Sequence, residues 1–378
     1  MYSNISKKPY LVIISDTSMY EYHDKFVFEP VLREVENFSY LFSKIKWLGF
    51  ERKKAPPLNT KMVNNKKIDI IPVKSSGGKG ILKKIGVILL IPYYFIKIFN
   101  LISKADVIHT RGPSVPALIA IILLFFYPNK KKWYKYGGSW QIVSKSYSYR
   151  FQRWLLLKNK FSKVIVGRKN KSDPDFIYNW LNPCLTKKEI IFNNKIGRKK
   201  VFNNKFILCF IGRLELEKGF YELHKAITKL PLRNSIKKVH FVGDMSKIQK
   251  ILKKEVCNNI ELHYHGILGR NKIDEIYKDS HFIILPSKSE GFPKVLAEAA
   301  SFGCIPIIPP IDSILKVFNE ENKNGFILKS TNHKDIINVL ITLEKAGVDL
   351  SNFSRNSIKS SELFSYDNYN EKILNNIL

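Results

Sequence analysis

Short apolar runs alternate with amphipathic stretches through the second half of the chain. Strand-like runs stand at 206–211, 239–242, 260–264, 282–285 and 305–308. Stretches with apolar residues at helical spacing fall between or after them, at 219–230, 247–256, 271–278, 293–302 and 334–345. This alternation predicts an α/β class with a mostly parallel, doubly wound sheet. Ligands of such sheets gather beyond the carboxyl ends of the strands. Gly212, Gly243-Asp244, His265-Gly266 and the turn 287–290 all occupy that edge. The first half is less regular, with strands predicted at 10–15, 68–73, 107–109, 132–136 and 164–166. The polar, Gly-containing tract 193–205 marks the expected domain boundary. A last helical stretch runs from about 366 to 378.

The candidate chemistry is densest in the stretch SKSEGFPKVLAEAASFGCIPIIP, which carries Glu290 and Glu298. Glu290 lies in a turn after a buried strand, and Glu298 lies in the helix that follows. Pro293 suits the start of that helix, because its missing N–H would have had no partner there. The free amides at such an end favour a phosphate, and Gly291 lets backbone approach a ligand closely. A carboxylate beside the turn can accept hydrogen bonds from sugar hydroxyls. An ordinary surface Glu and an ordinary helical Glu would explain a pair at arbitrary spacing, but the surrounding residues argue for a ligand site. Arg213 directly follows a strand and Gly212, with Lys218 five positions on. Fixed cations there would stabilise a diphosphate leaving group as its charge grows. No His/Cys cluster stands at metal-ligand spacing, and no metal is expected.

Taken together, Glu290-Gly-Phe-Pro-Lys-Val-Leu-Ala-Glu298-Ala-Ala-Ser-Phe-Gly303 and Phe206-Ile-Leu-Cys-Phe-Ile-Gly212-Arg213-Leu-Glu-Leu-Glu-Lys218-Gly219 resemble the retaining family-4 glycosyltransferases, glycosyl transferases group 1. The resemblance implies a GT-B fold, two Rossmann-like doubly wound domains facing across a cleft. Residues 1–198 would form the acceptor side and 199–360 the nucleotide-sugar side, with 361–378 crossing back to the first domain. It implies that Arg213 and Lys218 hold the donor diphosphate, Glu290 the transferred sugar and Glu298 the ribose. Gly212, Gly291, Phe292, Pro293, Gly243 and His265 would complete the donor site. On the acceptor side stand His109-Thr-Arg111-Gly112-Pro113 and Tyr136-Gly137-Gly138-Ser139-Trp140, giving His109, Arg111, Gly138 and Trp140 as candidates. Many members carry a His after the strand matching 133–136; Gly137-Gly138-Ser139-Trp140 replaces it here. A buried His and a structural ion pair are the alternative roles for His109 and Arg111. The implied reaction moves a sugar from a nucleotide-diphosphate sugar, a co-substrate, to a hydroxyl of a glycan or lipid-linked acceptor in surface polysaccharide or lipid-linked glycan synthesis. No cofactor is expected. A non-catalytic nucleotide-sugar or polyanion-binding protein, or a peripheral membrane scaffold, is the competing expectation.

Charge adds a partner. Lys and Arg number 63 against 32 Asp and Glu, a formal net charge of +31. Such a field favours polyanions. The stretches 81–102 and 115–127 are apolar and edged by lysines. Pro92 and Lys97 interrupt the first, which predicts a helix lying in an anionic membrane interface and not one spanning it. No helix-turn-helix, zinc module or RNA-binding signature is present, so no nucleic acid is expected. At 378 residues, two or three domains are expected. Cys184, Cys209, Cys257 and Cys304 are scattered and read as buried thiols. With no signal peptide at the amino terminus, the protein is expected in the cytoplasm, peripheral at the inner face of the cell membrane.

Overall fold

The computed structural model describes residues 8–76, 81–137, 140, 146–203, 205–231, 235–246, 248, 259–343 and 348–378, the side chains of 81–84 excepted. The chain forms two compact units, Met1–Leu181 with Tyr366–Leu378, and Asn182–Ser365.

The first unit runs β1 (Tyr10–Tyr22), β2 (Asp24–Phe28), α1 (Glu29–Phe38), β3 (Lys44–Glu51), β4 (Thr60–Met62), β5 (Ile68–Val73), α2 (Ile81–Lys104), β6 (Val107–Gly112), α3 (Val115–Leu124), β7 (Lys131–Tyr136), α4 (Tyr147–Lys158), β8 (Lys163–Val166) and β9 (Ile177–Asn179). Its parallel strands lie in the order β5-β3-β1-β6-β7-β8-β9. The strand order reverses between β1 and β6. Successive residues of β1 serve opposite cores: Leu11 and Ile13 face α1 and the last helix, Tyr366–Asn376, while Val12 and Ile14 face α2, α3 and α4. A strand buried on both faces is continuously apolar, which is why the sequence pattern shows it. Beyond Ile14 the β1–β3 register shifts. The polar Asp16, Thr17 and Ser18 hid the remainder of β1, which pairs antiparallel with β2.

The second unit comprises α5 (Lys187–Gly197), β10 (Phe206–Ile211), α6 (Phe220–Thr228), β11 (Ile236–Val242), β12 (Glu261–Tyr264), α7 (Arg270–Asp279), β13 (Phe282–Ile284), α8 (Lys294–Ser301), β14 (Ile305–Ile308), β15 (Phe326–Ile327), α9 (His333–Thr342) and α10 (Leu350–Ser361). Its sheet is entirely parallel, ordered β12-β11-β10-β13-β14-β15. The helix expected at 247–256 lies almost wholly outside the described residues, as does Cys257. Cys184, Cys209 and Cys304 are buried free thiols.

The boundary expected at 198/199 falls instead at Leu181/Asn182. The tract read as a linker begins inside α5, a helix closed by a capping box between Thr186 and Glu189. The amide of Asn193 donates to Ser301 Oγ at 2.9 Å, fastening α5 to α8. Polar composition misled because these asparagines are buried and bonded.

The first unit also buries charge. Glu34 of α1 is fully inaccessible and receives Arg111 Nη1 at 2.8 Å and Lys135 Nζ at 2.6 Å. Removing one member of a buried ion network leaves the others uncompensated. Glu34→Ala is expected to cost about 3–5 kcal/mol of stability in urea unfolding. A loss below about 1 kcal/mol would show the cations re-solvated at little cost.

Candidate functional site

Strand order locates the site. In the second unit β10 lies between β11 and β13, so the order reverses there, and a crevice is expected beyond the carboxyl ends of β10 and β13. From β10 the chain continues through Gly212, Arg213 and Lys218; from β13 it continues through the turn that carries Glu290. Lys218 Nζ lies 2.5 Å from Glu290 Oε1. The Lys288 amide donates to the Glu217 carbonyl at 3.0 Å. Gly219, at φ +75°, sits against the Pro286 carbonyl, which a Cβ would strike. These contacts hold the two loops as one surface. The Gly212 amide donates to Val242 O at 3.0 Å, and a Cβ at Gly243 would overlap the Gly212 carbonyl, so the loop after β11 closes on the same edge. The Arg213 guanidinium is mostly exposed and pairs with Glu215 at 3.0 Å.

Helix α8 begins beside Glu290, with Pro293 as its N-cap and not in its first turn. No side chain caps it. Ser313 Oγ donates to the Glu290 carbonyl at 3.3 Å, steadying the turn that Gly291 continues. Phe292 is buried and stacks on Phe364 with ring centroids 4.5 Å apart, so it anchors the loop. Glu298, one turn into α8, meets Arg270 Nη1 at 2.5 Å and accepts from the Tyr277 hydroxyl at 3.4 Å. Burial works against the charge on Arg270, but Glu298 and Asp274 more than offset it and hold the guanidinium charged. Sequence reasoning missed Arg270, since a pair formed between α7 and α8 leaves no local spacing. His265 follows β12. Its Nε2 lies 2.8 Å from His240 Nδ1, whose Nε2 lies 3.0 Å from Asp279 Oδ2. The chain Asp279–His240–His265 thus orients a ring at the sheet edge.

For His109 and Arg111 the structure favours the alternative, a buried His and a structural ion pair. His109 is fully buried, stacked on Trp133 at 4.2 Å, with Arg111 Nη1 3.3 Å from its Nε2. Arg111 turns to Glu34. Both side chains are spent on the core, where an acceptor could reach His109 only by opening it. Trp140 is also buried, donating its Nε1–H to Asp173 Oδ2 at 2.7 Å. Gly138 lies outside the described residues. The sequence was read as holding no Asp-x-Asp motif, but Asp173-Pro174-Asp175 is one. Asp173 also accepts from the Asn170 amide at 2.7 Å, which gives it a structural role. Among the described residues, no group of three or more His, Cys, Asp or Glu could hold a metal.

Residues 191–360 match the family described as glycosyl transferases group 1. The match spans most of the second unit and under half of the chain. An uncharacterized glycosyltransferase from Methanocaldococcus jannaschii is 24% identical over 149 residues, covering 38% of each chain. The N,N'-diacetylbacillosaminyl-diphospho-undecaprenol alpha-1,3-N-acetylgalactosaminyltransferase of Campylobacter jejuni is 27% identical over 170 residues, 44% of this chain and 42% of its own. These alignments therefore span less than half of either relative. The structure of Anabaena Alr3699/HepE in complex with UDP and glucose superposes with a TM-score of 0.64 at 15% identity, covering 97% of this chain and 98% of that one. That likeness shows the fold: GT-B, with two Rossmann-like units. The group 1 match covers both motifs, which places Arg213, Lys218, Glu290 and Glu298 inside the family domain.

Burial lowers the pKa of His109, His240, His265 and His281, with nearby positive charge adding to it. Each stays neutral in the folded protein where the unfolded chain protonates. Their contribution to stability is therefore present above about pH 6.5 and lost as pH falls below it. Urea unfolding is expected to show stability dropping from pH 7 to pH 5, with a shallower slope in His109→Gln. An unchanged slope in that variant would mean His109 titrates normally in the fold.

Proposed function

We propose that the protein is a retaining glycosyltransferase that moves a sugar from a nucleotide-diphosphate sugar to a hydroxyl acceptor without a metal. The observation that carries this reading is the Lys218–Glu290 pair at the strand-order reversal of a group 1 domain. A diphosphate beside Lys218 competes for its ammonium and releases Glu290 to accept hydrogen bonds from sugar hydroxyls. The bond between the anomeric carbon and the diphosphate oxygen breaks. Lys218, Arg213 and the uncapped amides of α8 take up the charge that collects on the leaving group. Glu290 stabilises the positive charge developing at the anomeric carbon. The acceptor oxygen bonds to that carbon on the face the phosphate leaves, and its proton passes to the departing phosphate oxygen. Glu298 reaches the ribose while shared with Arg270, and His265 meets the base. UDP is the first nucleotide to test, because the Anabaena protein is seen with it. Lys218→Ala and Glu290→Ala are each expected to lower release of nucleoside diphosphate from the donor by about 10²–10³-fold while the protein stays folded, as read by circular dichroism. Wild-type rates in either variant would remove the assignment.

The acceptor in this reading is a lipid-linked or growing surface glycan, met at the inner face of the cell membrane. Its support lies on the first unit. Helix α2 was expected to be too interrupted to span, yet Ile85–Lys104 is long and apolar enough to cross a membrane by length and composition, and few of its residues are buried. Tyr94, Ile98 and Ile102 hold one side of it against the sheet. The other side leaves Ile88, Leu89, Phe95, Ile96 and Phe99 exposed. Helix α3 packs beside α2, and α4 beside α3, exposing Phe126 just past α3 and a stacked Phe151–Trp154 pair on α4. A helix held on one side and apolar on the other suits the interface, with surrounding lysines adding attraction to anionic lipid. Leu89→Glu with Phe95→Glu is expected to abolish flotation with anionic vesicles. Flotation equal to wild type would place the contact elsewhere.

A further inference from the structure

The carboxyl edge of the first sheet carries a second concentration of charge that the donor site does not use. β3 ends at Glu51 and runs directly into Arg52-Lys53-Lys54; β5 ends at Val73 and runs into Lys74-Ser75. The two strands are parallel neighbours, so these segments leave the sheet side by side. Together they line a cleft of about 510 Å³. A second cleft of about 520 Å³ shares Glu51, Arg52, Lys53 and Lys54 and extends to Glu21 and Tyr22 of β1. Arg52 is fixed there, its Nε donating to Ser18 Oγ at 3.0 Å and its amide to the Met19 carbonyl at 2.8 Å. Among the described residues no carboxylate forms an ion pair with Lys53, Lys54 or Lys74.

We propose that this cleft is the subsite for a phosphate or diphosphate group on the acceptor. Like charges gathered around one cavity repel, and a bound multivalent anion reverses that cost. Glu51, the carboxylate in that lining, can offset one of the four cations, whereas a diphosphate presents several oxygens to the rest. The volume falls in the range of small-ligand clefts, and the position beyond strand ends is where such sheets bind ligands. The cleft is also tied to the apolar helix. The Tyr94 hydroxyl of α2 donates to the Lys74 carbonyl at 2.5 Å, and only residues 75–80 separate Lys74 from the start of α2. With α2 at the lipid surface, Lys74 and its neighbours would stand at headgroup level. The phosphate of a lipid-linked acceptor would then enter the cleft while its hydrocarbon stayed in the bilayer. This inference rests on the transferase reading for its purpose but not for its test.

The test compares wild type with Arg52→Gln/Lys53→Gln/Lys54→Gln/Lys74→Gln, the fold checked by its melting temperature. Binding is measured to neutral phosphatidylcholine vesicles, to the same vesicles doped with a polyprenyl diphosphate, and to inorganic pyrophosphate. Wild type is expected to prefer doped over neutral vesicles by at least about tenfold, and the variant to lose that preference. Pyrophosphate bound as tightly as doped vesicles, and lost in the variant, would assign the same cleft to free phosphates. Equal wild-type binding to neutral and doped vesicles with no pyrophosphate binding, or undiminished preference in the folded variant, would overturn the proposal. Donor consumption by wild type is read separately: its absence would sink the transferase reading and leave the vesicle result standing.

Discussion

The ion pair of Lys218 with Glu290 is the contact on which the functional surface depends. It bridges loops that leave adjacent parallel strands, β10 and β13, and the loops would otherwise be free to separate. Both side chains are partly buried, so each charge would be costly without the other. The neighbouring contacts support that bridge: Gly219 is accommodated only because it has no Cβ, and the Lys288 amide secures Glu217. In the proposed reaction the pair is open to exchange: a diphosphate would substitute for the carboxylate at Lys218 and a hydroxyl for the ammonium at Glu290.

The two units share a strand-order reversal but use it differently. In the second, β10 and β13 deliver opposite charges to a loop surface where ligands can compete for them. In the first, the cation at the end of β6, Arg111, turns inward to Glu34 alongside Lys135, and His109 is stacked beneath. That edge is stabilised by a closed network and offers little to a substrate. Further along the same edge, after β3 and β5, Lys53, Lys54 and Lys74 line a cleft and form no ion pair among the described residues. Arg111 and Lys135 are thus matched to a buried carboxylate, whereas the cations after β3 and β5 are the ones proposed to meet an external anion.

Much of this was legible in the sequence wherever burial is two-sided. Apolar runs such as 206–211 and 282–285 read directly as strands, and Arg213, Lys218 and Glu290 stood at their ends. The structure brings Lys218 and Glu290 together across 72 positions. Strand β3 was invisible because Lys44, Lys46 and Glu51 break up its apolar residues. Helix α10 was invisible because Ser354, Ser357 and Ser361 are poor helix formers, tolerated here because small side chains let α10 approach α8. Their hydroxyls bond to nearby carbonyls, Ser354 to Gly303 and Ser357 to Cys304. The pairing of Glu298 with Arg270 and the chain from Asp279 to His265 arise only from packing between elements. For His109 the sequence left a ligand role and a structural role open, because a strand end gives no sign of whether a side chain turns toward solvent or core.

The most direct measurement is a crystal structure with an intact nucleotide sugar bound. The account predicts the Lys218 ammonium and Arg213 guanidinium on diphosphate oxygens, with the Glu290 carboxylate accepting a hydrogen bond from a hydroxyl of the transferred sugar. A nucleotide sugar bound away from the β10–β13 edge, with the Lys218–Glu290 pair intact beside it, would contradict the account.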